Sequence, residues 1–258
     1  MTALRDFLMQ NGGIPMYVIF LIILLTFLAV MVVKERVEAK RQVKDAAPLT
    51  EKEKCRNYLQ GVAMLWGTVL VVFAMCYIGG IRLADIGFRP LRLGYGFWFT
   101  AATLTLGGVA IAYFLYNIVG VLVSEKFRKK GIKTSSSAVL NAIPRTKRAK
   151  WLFSLLALSA GVCEEIVFRG FFLFLILSIF PELPVWLAAL IPIVLFGLAH
   201  LYQGLQGVVS TAVVGAIFMC LYLATDSLLL AMVLHFLMDV VAAFVLKEED
   251  EMPVIASL

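Results

Sequence analysis

Charged side chains are scarce in this chain: Asp, Glu, Lys and Arg make up 16% of its 258 residues, against 62% hydrophobic residues and a mean hydropathy of +0.94. A soluble domain carries roughly a quarter charged and about half apolar residues, so an ordinary water-soluble globule is excluded. Cysteine is sparse and unpatterned. Cys55, Cys76, Cys163 and Cys220 form no CxxC pair, and three of them sit in apolar runs where a thiol behaves as a small hydrophobe. That spacing argues against a disulfide framework and against a thiolate zinc site. Histidine is limited to His200 and His235, and no HExxH occurs, so the zincin arrangement is absent. No internal repeat is visible, which counts against an inverted-repeat transporter. No small-residue cleavage site follows the first apolar run, and only Arg5 among basic residues precedes it, so that run is read as a retained anchor rather than a cleaved signal.

Long apolar runs cover most of the length, at about 16–33, 58–81, 95–124, 151–180, 184–201, 205–224 and 226–246. Most can cross a hydrocarbon core of roughly 30 Å as a helix. The expectation is an all-α, polytopic transmembrane bundle of about seven to eight helices, organised as a single integral membrane domain over 1–258. The third and fourth runs exceed one upright span, so each is tilted, extends into water or conceals a break.

The net charge of +6 comes from loops. Eight Lys and Arg lie between 34 and 57 and nine between 126 and 150, whereas only Arg82, Arg89 and Arg92 lie in the loop between. This is the positive-inside pattern of a membrane protein rather than a nucleic-acid surface, and it puts the N-terminus outside and the C-terminus, with its acidic Glu248–Glu251 tail, in the cytoplasm. The short chain and simple topology lean toward a prokaryotic cell membrane.

Within the last four runs, apart from Asp226 at the very start of the seventh, lie four charged residues and both histidines: Glu164, Glu165, Arg169, His200, His235 and Asp239. A charge at the bilayer centre costs about 2.5 to 3.5 kcal/mol on insertion scales, so these groups need mutual partners or a wet cavity. On a helix Glu165 and Arg169 share a face and can pair, while Glu164, rotated by about 100 degrees, can face a different neighbour. His235 and Asp239 are likewise four apart, a spacing that lets a carboxylate fix an imidazole's tautomer. Phe196 lies one turn before His200 and walls the same side. Taken singly, the Glu165–Arg169 pair reads as a packing ion pair and each histidine as a hydrogen-bonded core residue; taken jointly, they read as a reaction or ion site.

Two chemistries fit a glutamate and two histidines. In one, Glu164 is a general base for water, aided by His200, while His235 donates to the oxyanion of a scissile carbonyl. In the other, Glu164, His200 and His235 hold zinc, which acidifies a bound water. A proton- or ion-coupled transporter using Glu164, His200, His235 and Asp239 as a relay is an alternative from another class, as is a non-catalytic scaffold or immunity protein.

The strings Glu164-Glu165-Ile-Val-Phe-Arg169, Phe196-Gly-Leu-Ala-His200 and His235-Phe-Leu-Met-Asp239 resemble the motifs EExxxR, FxxxH and HxxxN/D of the CAAX protease and bacteriocin-processing family (CPBP, or Abi) of intramembrane endopeptidases, in order, over about 151–246. The resemblance implies a helical membrane fold with a site among these helices and hydrolysis of peptide bonds in membrane-associated or prenylated, CAAX-type, proteins or peptides. It implies that Glu164 and His200 activate water, that His235 and the residue at 239 stabilise the oxyanion, and that Glu165 and Arg169 support them. Members are often labelled metalloproteases; a metal-independent glutamate mechanism, argued for the prenyl-protein branch, is favoured here, with no cofactor. This chain carries Asp239 where that branch has asparagine, and an ionised aspartate cannot donate a hydrogen bond to an oxyanion.

Elsewhere the sequence is quieter. Asp85-Ile-Gly-Phe-Arg-Pro90 reads as a turn, and Gly207, Thr211 and Gly215 form a small-residue stripe suited to close helix packing.

Overall fold

The fold comes from a computed structural model, which describes residues 13–45, 49–92, 97–127, 129 and 137–244. Arg5, most of the basic loop at 126–136 and the acidic tail lie wholly or partly outside the described residues. Every regular element among the described residues is helical: α1 (Ile14–Asp45), α2 (Glu51–Gly79), α3 (Phe97–Val123), α4 (Ser137–Ala142), α5 (Lys147–Glu165), α6 (Leu173–Ile179), α7 (Val185–Ala199), α8 (Leu205–Thr225) and α9 (Leu229–Val240). Three stretches are long and apolar enough to span a bilayer, Ile14–Glu38, Glu51–Gly79 and Leu205–Thr225, and Val185–Ala199 and Leu229–Val240 are shorter apolar helices. Large side chains such as Tyr77, Val123, Trp151 and Leu205 stay exposed. Apolar surface on that scale is stable only in lipid, and the protein is an integral membrane protein.

The fourth apolar run contains no break. The α5 helix passes through a π-helical turn, Ile166–Phe172, directly into α6, with every junction residue in right-handed helical geometry. A π turn inserts extra residues without ending the helix and is often found at functional sites. Here it holds Arg169, and all seven of its residues are buried.

The α5 helix is the central strut, packing along α2 and α9. Its approach to α9 depends on Gly161, where a Cβ would lie 2.8 Å from the backbone nitrogen of Phe236 and 3.1 Å from the carbonyl oxygen of Met232. On the α2 side Trp66 Nε1 donates to Ser159 Oγ at 3.1 Å.

The α7 and α9 helices, at 15 and 12 residues, are short for membrane elements. At 1.5 Å per residue they rise only roughly 22 and 18 Å. His200 caps the C-terminal end of α7, and α9 tightens into a 3-10 turn, Val241–Phe244, soon after Asp239.

The Asp85–Pro90 segment is more than a turn. A 3-10 turn, Leu83–Ile86, is closed by Arg82 paired with Asp85 at 2.8 Å and by Gly87 at φ 90°. The Arg82 guanidinium holds the Asp85 carboxyl below the ordinary carboxylate range. The segment docks on the α8–α9 connection through Arg89 with Asp226, the Leu228 N–H to the Gly87 carbonyl, and the Arg92 N–H to the Thr225 carbonyl. The Ile86 carbonyl lies so close to Gly170 that a Cβ there would meet it at 2.5 Å.

Candidate active site

Glu165 lies at the end of α5, fully buried, and its carboxylate is the junction of the cluster. A single oxygen, Oε1, accepts from Arg169 Nη1 at 2.9 Å and from His235 Nδ1 at 2.8 Å. The expected pairing of Glu165 with Arg169 is present, and the π turn places Arg169 so that Nη2 also donates to the Gly215 carbonyl at 3.2 Å. The Arg169 guanidinium carbon stands 4.2 Å from the centre of the Phe196 ring, with Phe218 on another side at 5.6 Å. A buried guanidinium thus meets a carboxylate, a carbonyl and two aromatic faces, the kind of saturation a buried charge requires.

Two expectations about partners change. Glu164 does not turn to a different neighbour: its Oε2 faces His235 Nε2 at 3.7 Å, so the two glutamates address opposite nitrogens of one imidazole. The α5–α9 contact at Gly161 is close enough for both to reach. The carboxylate that fixes the His235 ring is Glu165 rather than Asp239; Asp239 Oδ2 stands 3.5 Å from Nε2, on the Glu164 side. At 3.5 and 3.7 Å neither contact is a good hydrogen bond.

His200 is oriented by its own helix end. A carbonyl oxygen can only accept, so the 2.9 Å contact between His200 Nδ1 and the Phe196 carbonyl makes Nδ1 the protonated nitrogen. In the neutral ring Nε2 then carries a lone pair. Phe196 stands between the histidines, its ring centre 5.0 Å from that of His200 and 5.9 Å from that of His235. The predicted wall is there, and it serves both rings.

Glu164 Oε2 is buried with no hydrogen-bond partner, as is Glu165 Oε2. Buried polar atoms in native folds are nearly always paired, so an orphan carboxylate oxygen facing an imidazole is a candidate point of contact for a polar molecule.

Among the described residues no three His, Cys, Asp or Glu side chains are grouped to hold a metal ion. His235 Nδ1 is committed to Glu165 and His200 Nδ1 to the Phe196 carbonyl, which leaves Nε2 of each ring to the site.

Sequence reasoning missed several contributors. Glu35, on α1, is half-buried and within electrostatic reach of Glu164 and of Tyr202. Arg36 Nη1 donates to the Leu201 carbonyl at 3.1 Å, tying α1 to the turn that follows His200. A carboxylate among Lys34, Arg36 and Lys40 reads as part of a basic loop, and only the extension of α1 to Asp45 brings it here. The small-residue stripe does not pack as one unit: Gly215 leaves room for Phe196 and Arg169, while Gly207 faces Gln203. The closest α7–α8 approach uses Gly197 against Val208 and Ala212.

Residues 146–241 match the family described as type II CAAX prenyl endopeptidase, Rce1-like. No curated protein and no solved structure matches the chain.

Proposed function

We propose, from the match of residues 146–241 to the Rce1-like family of type II CAAX prenyl endopeptidases, that this integral membrane protein hydrolyses peptide bonds of membrane-associated proteins or peptides, prenylated CAAX substrates among them, by a glutamate-activated water. The observation that carries the reading is the unpartnered Glu164 Oε2, 3.7 Å from His235 Nε2.

In this reading water binds between Glu164 and the lone pair of His200. Glu164 takes a proton as the water oxygen attacks the scissile carbonyl carbon, and the carbonyl π bond becomes an oxyanion. His235, doubly protonated, donates from Nδ1 to Glu165 and from Nε2 to that oxyanion. Collapse of the intermediate breaks the C–N bond, and the proton held by Glu164 passes to the departing amine. Arg169 neutralises Glu165, so the carboxylate orients the ring without adding an unbalanced charge. Asp239, as an acceptor, holds the imidazolium beside the oxyanion position; it does not donate to the oxyanion itself. No step is assigned to a metal.

A membrane-associated substrate is in keeping with His200 and Asp239 lying near the ends of two short apolar helices of an integral membrane protein. The test is incubation of the purified protein in proteoliposomes with farnesylated CAAX peptides and their unprenylated forms, with product masses read out. Internal cleavage of the farnesylated peptides supports the reading. Intact peptides, with proton or ion flux across the same proteoliposomes, would favour a transporter.

A further inference from the structure

An open cleft lies away from the histidine cluster, where the N-terminal ends of α2 and α5 meet. It has a volume of about 710 Å³, and its lining changes character along the two helices. Lys52, Arg56 and Arg148 line the rim at the helix starts, and Leu59, Ala63 and Leu152 line the apolar stretch farther along, with Leu59 half-exposed. Lys52, Arg56, Leu59 and Ala63 follow one face of α2 and descend roughly 16 Å along it, from the helix start toward its apolar middle.

The charge at the rim is unbalanced. Glu51 is the one carboxylate in the lining, and it is engaged within the protein: it pairs with Lys54 Nζ at 2.9 Å and accepts from Thr146 Oγ1 and from the backbone N–H groups of Arg145 and Thr146. Glu53 is likewise turned to its own capping box with Thr50, although Arg56 is within its electrostatic reach. Among the described residues none of the three rim cations is held in an ion pair. Arg145, next in the chain to the lining residue Thr146, has Nε and Nη2 buried without a hydrogen-bond partner.

We propose that this cleft binds an anionic phospholipid, its phosphodiester among Lys52, Arg56 and Arg148 and one acyl chain along Leu59, Ala63 and Leu152. The polarity gradient selects the occupant. A free phosphate satisfies only the rim, whereas an acidic peptide carries unsatisfied backbone groups onto the apolar stretch; a lipid matches both ends. The lipid joins the two helices whose packing sets the position of Glu164 and Glu165. The inference is independent of the protease reading.

Its test uses the full chain in detergent micelles of phosphatidylcholine to which phosphatidylglycerol, more phosphatidylcholine or inorganic phosphate is added, with native mass spectrometry and the melting midpoint as readouts. Phosphatidylglycerol is expected to stay bound and raise the midpoint, and the other two are not. With about a fivefold contribution per cation, Lys52→Gln/Arg56→Gln/Arg148→Gln is expected to weaken phosphatidylglycerol binding by on the order of a hundredfold. Ala63→Trp, which fills the apolar stretch of the cleft and leaves the charge intact, is expected to weaken it as well and decides the matter if the triple variant does not fold. Equal retention of both lipids, undiminished binding in the folded variants, or stabilisation by inorganic phosphate equal to that by phosphatidylglycerol would overturn the proposal.

Discussion

Glu165 and His235, seventy residues apart in the chain, meet at 2.8 Å in the protein interior, where the same carboxylate oxygen also receives Arg169. That contact ties α5 to α9 and decides which way the imidazole faces.

Removing either end of the junction should be felt differently. Glu165→Gln keeps the shape and loses the charge that orients His235, so turnover is expected to fall about 10- to 100-fold with substrate binding retained. Arg169→Met leaves a buried carboxylate uncompensated and is expected to cost about 3–5 kcal/mol of stability. Steady-state kinetics on the first variant and a melting curve in detergent on the second check the pair.

Gly161 sets the helix separation. Gly161→Ala puts a methyl 2.8 Å from the Phe236 nitrogen, a backbone atom that cannot move alone, and is expected to cost about 1–3 kcal/mol together with most of the activity. Gly67→Ala on α2 meets nothing within 4 Å and is expected to be neutral or slightly stabilising, as a glycine-to-alanine change inside a helix should be. Parallel melting curves distinguish packing from propensity.

The acceptor at position 239 is expected to tolerate an amide. Asp239→Asn adds a donor next to His235 Nε2, so peptide cleavage should stay within about tenfold of the wild type, whereas Asp239→Leu, which has neither donor nor acceptor, should lose on the order of a hundredfold.

Glu35 lies on a different helix from every sequence motif yet within electrostatic reach of Glu164. Glu35→Lys is expected to pair with Glu164 and reduce turnover by tenfold or more, while Glu35→Gln should stay within a few fold; kcat and KM measured separately for both variants check this.

The all-helical membrane class was legible because charge is rare and apolar runs are long, and the candidate site because ionisable groups in such runs are conspicuous. The Glu165–Arg169 pair followed from a four-residue spacing that survives the π turn. The π turn itself was not legible, since Ile166–Phe172 has the composition of any buried helix. Nor was the convergence of both glutamates on His235: helical spacing specifies angles around one helix, while the Gly161 contact, which specifies the distance to the next, is a long-range event. Helix lengths misled for a related reason. The apolar run at 226–246 continues past Asp239, but the α-helix within it stops at Val240 because the chain tightens into a 3-10 turn. Glu35 was hidden by its basic neighbours.

The most direct test of the account is the turnover of a farnesylated CAAX peptide by wild-type and Glu164→Gln protein, each with and without a zinc chelator, with binding of the same peptide measured alongside. The account expects wild-type turnover to be unchanged by the chelator and Glu164→Gln to lose at least about a thousandfold in kcat while still binding the peptide. Wild-type turnover that disappears with chelator and returns with zinc, or Glu164→Gln turnover close to that of the wild type, would contradict it.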